Sequence, residues 1–176
     1  MTETLLNISL EALVDFHPIT ASVIIAAALA VALLFLSGFA SGSEIAFFSL
    51  SPDDINELEP EKNEVDAKIQ QLREDNERTL ATILIANNFV NVMIIMLCNY
   101  IFAQLITFKQ AWLQFLCITV ILTFLLLLFG EIMPKVYSRQ NPLSFCRRAV
   151  HGVMILRSFF WPLETILMRS GVLAEK

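Results

Sequence analysis

Between residues 79 and 130 the chain carries a single charged side chain, Lys109, and between residues 19 and 43 it carries none. An α-helix needs roughly 18 to 20 apolar residues to cross about 30 Å of hydrocarbon. Both stretches exceed that length, so this sequence has to be read against a bilayer. The longer one is too long for one straight span and holds its charge near the middle. It divides into two helices, residues 80–106 and 111–130, joined by a tight turn at residues 107–110. Residues 19–38, with an apolar continuation to Leu50, supply the remaining span. Composition agrees: 56% of residues are hydrophobic and only 16% are charged, with a mean hydropathy of +0.66. Lipid-facing β-strands would alternate in polarity, and these solid runs do not, which argues against a barrel. No signal peptide is expected, because the lead-in lacks a basic segment and further spans follow.

The expected fold is therefore an all-α membrane protein: three transmembrane helices, a cytoplasmic helical hairpin and an amphipathic interfacial helix. Residues 1–18 form an extracytoplasmic lead-in. Residues 19–140 form the three-span domain with its cytoplasmic loop at 51–78, and residues 141–176 a juxtamembrane helix and tail. Orientation follows from Lys and Arg. The loop holds Lys62, Lys68, Arg73 and Arg78, and the tail holds Lys135, Arg139, Arg147, Arg148, Arg157, Arg169 and Lys176, whereas the lead-in has neither residue type. This places the N-terminus outside and the C-terminus in the cytoplasm, with a bacterial inner membrane as the expected location and lipids as obligatory partners.

Within the loop, Ser51-Pro52-Asp53-Asp54 reads as a helix start, with a capping serine, proline at the first helical position and acidic residues at the positive helix end. Pro60 marks a break, after which Val65, Ile69 and Leu72 share a face. From Pro142 onward, Leu143, Phe145, Ala149, Val150, Val153 and Met154 oppose Arg147, Arg148, His151 and Arg157, the pattern of an interfacial helix. Pro162 is expected to break it, with a last short turn ending near Gly171. Cys98, Cys117 and Cys146 lack metal-ligand spacing and read as packing residues. The net charge of -5 gives no nucleic-acid footprint. No nucleophile, base and oxyanion arrangement stands outside the spans, so an enzyme is not expected.

The informative residues are polar ones inside apolar segments. SGFASGSE at residues 37–44 contributes Ser37 and Ser41 on one helix face, with Ser43 and Glu44 beside them. Asn87, Asn88 and Asn91 form a second cluster, Asn91 lying over Asn87 at a spacing of four. The third is Gly130-Glu131, followed by Pro134, which has no N–H for the carbonyl four residues back, that of Gly130. Together these are hydroxyl, amide, backbone and carboxylate oxygens, with imidazole and thiolate absent. That set suits a hard cation such as Mg²⁺ or Na⁺. Unpaired polar groups in lipid cost several kcal/mol, of the order expected for an amide or hydroxyl without a partner. The alternative is that the same groups serve helix packing and interhelical hydrogen bonds in a non-transporting membrane scaffold.

SGFASGSE, ANNFVN at residues 86–91 and FGEIMPK at residues 129–135 resemble the signatures of the CorC and cyclin M (CNNM) membrane domain, also called DUF21, over about residues 20–165. The resemblance implies magnesium export or homeostasis, in some members coupled to sodium, by dimers with three spans per subunit. It carries Ser37, Ser41, Asn87, Asn91 and Glu131 into a metal site, to which the Gly130 carbonyl freed by Pro134 would add, and leaves Ser43, Glu44 and Asn88 as weaker candidates. It also implies regulatory CBS domains, which bind nucleotide; a chain ending at Lys176 stops short of them. Bacterial paralogues associated with gliding motility share the resemblance and carry the scaffold alternative.

Overall fold

A computed structural model describes residues 14–174. Three helices are long and apolar enough to cross a membrane, Ala21–Phe48, Asn76–Leu105 and Trp112–Gln140. The chain is thus a predominantly helical, multi-pass membrane protein with additional helices outside the spans.

The first span is one unbroken helix, α1 (Ala21–Phe48). The small-residue segment at its end continues the helix because its neighbours need those residues small. A side chain on Gly42 would meet the Phe145 ring at 2.8 Å, and one on Gly38 would meet Pro134 Cγ at 3.0 Å. A short α2 (Pro52–Asn56) follows. Its capping box is formed as read from the sequence, with Asp54 N–H donating to Ser51 Oγ and the Asp54 carboxylate accepting from the Ser51 backbone. Helix α3 (Glu64–Glu74) is capped by Asn63 and buries Ile69 and Leu72, the face expected from their spacing. The second span is α4 (Asn76–Leu105).

One feature departs from expectation on the far side of the spans. Ile106–Phe108 is a strand, β2, paired antiparallel with β1 (Val14–Phe16) in the register Val14 to Phe108 and Phe16 to Ile106. The tight turn expected at residues 107–110 is therefore partly ribbon, because the end of the lead-in supplies the backbone partners that an isolated turn would lack. His17 Nε2 and Thr107 Oγ1, 3.0 Å apart, extend the pairing. The rest of the lead-in, residues 1–13, lies outside the described residues.

The third span is also longer than read. Helix α5 (Ala111–Leu125) passes into a π-helical turn, Leu126–Ile132, and then into α6 (Met133–Gln140). It does not end at Gly130. In the π register Met133 N–H donates to Leu128 O, five residues back. On the same count, the carbonyl that Pro134 cannot serve is that of Phe129, not of Gly130 as straight α-helical counting expects.

Helix α7 (Pro142–Ala174) contains Pro162 in its interior. The proline does not end the helix: it removes one donor, and the helix resumes beyond it. The core on this side gathers Ala40, Ala46 and Phe47 of α1, Ile69 and Leu72 of α3, Ile83 of α4, and Cys146, Ala149, Val150 and Val153 of α7. The apolar face of α7 is thus spent on the ends of the spans and the hairpin. Cys146 is fully buried, and that burial pushes its thiol up to about 12. A second, smaller cluster of Leu33, Val90 and Ile94, with Leu126 against it, seals α1, α4 and the start of the π turn at mid-membrane.

Candidate ion site

Helices α1 and α4 pack along their lengths and bring two of the three polar clusters into contact. The Ser37 hydroxyl lies 2.9 Å from Asn87 Oδ1 and 2.7 Å from Asn91 Oδ1. Ser37 is fully buried, and both asparagines are half-buried. The spacing of four on α4 stacks the two amides on one face, so both reach the same point on α1. One hydroxyl has one proton and can donate to only one of these oxygens. The other oxygen needs a different partner, which is an amide N–H turned toward it, a water or a cation.

The π turn closes the third side. A Cβ on Gly130 would stand 3.0 Å from Ser37 Oγ, and one on Gly38 would stand 3.4 Å from Phe129 O. Glycine at both positions lets backbone approach backbone and hydroxyl more closely than nearly any side chain would without a shift of its neighbour. Glu131, next in the turn, is half-buried and is not hydrogen-bonded to Ser37, Asn87 or Asn91. The structure therefore assembles Ser37, Asn87, Asn91 and Gly130, with Glu131 adjacent in sequence.

Ser41 lies one turn further along α1. Its Oγ is buried and has no hydrogen-bond partner among the described residues. A buried hydroxyl left unpaired costs about 1 to 3 kcal/mol, so this one awaits water or a ligand. Ser43, by contrast, donates to Phe39 O of its own helix at 2.7 Å, and Asn88 is exposed. Glu44 pairs with Lys135 Nζ at 3.1 Å. Sequence reasoning left that pairing out, although Lys135 stands in the same FGEIMPK segment. The ion pair already neutralises the carboxylate that could have shared a divalent charge with Glu131.

Among the described residues no group of three or more His, Cys, Asp or Glu side chains is placed to hold a metal. Any ion here is held mainly by neutral oxygens. That separates this arrangement from carboxylate cages and thiolate sites.

Residues 28–175 match the profile of the cyclin M (CNNM) transmembrane N-terminal domain. The chain belongs to the CNNM family. It is 30% identical over 134 residues to the metal transporter cnnm-4 of Caenorhabditis elegans, covering 73% of this chain and 28% of that protein. It is likewise 30% identical over 134 residues to a UPF0053 protein of Haemophilus influenzae, covering 76% and 31%. A UPF0053 protein of Synechocystis is 28% identical over 131 residues, covering 74% and 37%. The chain thus spans about a third of the length of these relatives.

Outside the membrane, a second polar centre ties α7 to the hairpin. Asp66 is 2% exposed and accepts from Arg147 Nε at 3.0 Å, Arg147 Nη2 at 3.2 Å and the Glu59 N–H at 3.2 Å. Arg147 also donates to Glu57 at 3.1 Å, and Arg157 pairs with Asp75. The Arg147 guanidinium holds the Asp66 carboxyl below its usual range, and the carboxylates raise Arg147 in turn.

Proposed function

We propose that this chain is a membrane ion-transport domain that binds Mg²⁺ within the membrane and exports it as a homodimer, driven by inward Na⁺. The ligands are Ser37, Ser41, Asn87 and Asn91 side chains, Glu131, and the backbone of the π turn at Gly130, where the carbonyl left without a donor by Pro134 is that of the preceding Phe129. The observation that supports this reading best is the meeting of three oxygens, Ser37 Oγ, Asn87 Oδ1 and Asn91 Oδ1, around a single available proton. The unpaired Ser41 hydroxyl adds a further acceptor beside it. A hard cation satisfies such a set, and a π turn at the end of a span is where membrane helices open backbone toward a cavity.

Charge favours turnover over tight retention. One Mg²⁺ beside Glu131 keeps a formal +1 in a low-dielectric setting, since Glu44 is engaged by Lys135. A divalent ion held by one carboxylate and neutral oxygens is easier to release than one fully neutralised. Similarity to a protein described as a metal transporter is consistent with this function.

The test is the thermal stability of the purified protein in nanodiscs with and without millimolar Mg²⁺. A ligand at 100 times its Kd stabilises by about 2.7 kcal/mol. The wild type should gain stability with Mg²⁺, and Ser37→Ala and Asn91→Ala should fold yet lose that gain. A folded wild type indifferent to Mg²⁺ would leave the scaffold reading in its place.

A further inference from the structure

One turn beyond the candidate ligands, the two helices that carry them are tied together by charge. Glu44 follows Ser41 by three residues on α1, which sets their Cβ atoms about 5 to 6 Å apart on one face. Lys135 follows Glu131 by four, across the junction of the π turn and α6. The Lys135 ammonium stands 3.1 Å from a Glu44 carboxylate oxygen, and the two side chains are only 34% and 24% exposed. Such a pair is screened less than one on an open surface. The Lys135 backbone is fixed on both sides. Its carbonyl accepts from the Ser138 hydroxyl at 3.1 Å, Ser138 is fully buried, and the preceding Pro134 packs against Gly38 of α1. The fold around it therefore holds the ammonium at the edge of the site.

Charge determines what the ammonium does there. Glu131 makes no hydrogen bond or ion pair among the described residues, whereas Glu44 is engaged. Two carboxylates and one ammonium leave a single net negative charge beside the oxygens of Ser37, Ser41, Asn87 and Asn91. Without Lys135 the same turns would offer an ion two free carboxylates, and attraction for a divalent cation scales with the product of the charges.

We propose that Lys135 sets the ion affinity of the site: it withholds Glu44 as a second carboxylate, and its own charge weakens binding and hastens release. This rests on the Mg²⁺ reading above. Lys135 is a positioning residue and touches no ion; it acts through Glu44 and through its field. Removing it should tighten the site, a direction that damage to packing does not produce.

The experiment uses the full chain in nanodiscs. Mn²⁺, which takes the same hard oxygen ligands, is titrated with the free ion read by its EPR signal, and Mg²⁺ is added as competitor. Lys135→Met should lower the Kd by about tenfold, the effect of a unit charge roughly 10 Å from a divalent ion at an effective dielectric between protein surface and water. Glu44→Gln, which strands the ammonium beside the ion, should raise the Kd by a similar factor. Lys135→Arg keeps the charge and should stay near the wild-type value. The double variant Glu44→Gln with Lys135→Met restores the wild-type net charge and should return close to the wild-type Kd. If Lys135→Met does not fold, the contrast between Glu44→Gln and the double variant carries the same test. Weaker binding in both single variants would make the pair a brace between α1 and α6 and overturn the proposal. A double variant as weak as Glu44→Gln alone would make Glu44 a ligand, with the same consequence, and so would unchanged binding throughout. These results leave the Mg²⁺ reading intact, whereas a folded wild type that binds neither ion overturns that reading and the role of Lys135 with it.

Discussion

Ser41 separates a packing role from a ligand role more sharply than any other single residue. If its hydroxyl merely filled space, alanine would be neutral toward ions. Because the hydroxyl is buried and unpaired, Ser41→Ala should stabilise the ion-free protein, recovering up to about 1 to 3 kcal/mol of desolvation. The same change should reduce the Mg²⁺-dependent rise in Tm. Opposite signs in the two conditions are the expected result, and melting curves with and without Mg²⁺ read both. Gly130→Ala makes the complementary case. Its new methyl would stand 3.0 Å from Ser37 Oγ and 3.7 Å from Leu34 Cδ1, so it must displace the hydroxyl. Overpacking of this kind costs about 1 to 3 kcal/mol, and the Mg²⁺ response should fall further than the loss of stability explains. The serines, the asparagines and the glycine were legible in the sequence because each is out of place in an apolar helix. The pairing of Glu44 with Lys135 was not, because the two lie far apart in sequence and meet only where α1 crosses α6.

At the level of elements, the spans, the capped hairpin and the basic α7 could be read because each is written in local periodicity and capping chemistry. The ribbon could not, since Val14–Phe16 pairs with a strand about ninety residues away and nothing local marks it. The π turn was only half legible. Pro134 announces a lost donor, but whether the helix breaks or widens depends on what packs against it, and the close approach of Gly38 of α1 to Pro134 is not written in the local sequence. The contact between α7 and α3 makes a prediction of its own. Asp66 has a depressed folded pKa, so its contribution to stability is fully present above the unfolded value near 3.9. It is lost as pH falls through the lower folded value. Asp66→Asn should therefore flatten the acid limb of the stability curve below about pH 4. Arg147→Met, which strands a buried carboxylate, should cost about 2 to 3 kcal/mol at neutral pH. Glu57→Gln, at an exposed partner, should cost less than 1 kcal/mol, the usual worth of a surface pair. Urea melts across pH 2.5 to 7 would check the ordering.

Across the whole molecule, the candidate ion site and the last helix are joined by interlocked rings and glycines. The Phe145 ring of α7 fills the space over Gly42 of α1, and the Phe39 ring of α1 sits where a side chain on Gly152 of α7 would stand, at 2.5 Å. Gly42 is one residue beyond Ser41 and Phe39 two beyond Ser37, so α1 carries the proposed ligands on one face and the α7 contacts close by. On its other side α7 is fixed to the hairpin through Arg147 with Asp66 and Arg157 with Asp75. A movement of α1 or α6 on ion binding cannot leave α7 where it was, because a packed interface shifts between discrete arrangements and does not deform gradually. Linkage then requires that whatever holds α7 changes ion affinity by the same factor as the ion changes α7. Amide hydrogen exchange measures this directly. Mg²⁺ should slow exchange around Ser37–Ser41 and Asn87–Asn91, in the π turn, and also in α7 from Cys146 to Val153. Asn91→Ala should remove all of these changes together. If Mg²⁺ protects the first regions and leaves Cys146–Val153 untouched, the site is real but α7 is a passive support, and movement at its C-terminal end has no route to the ion.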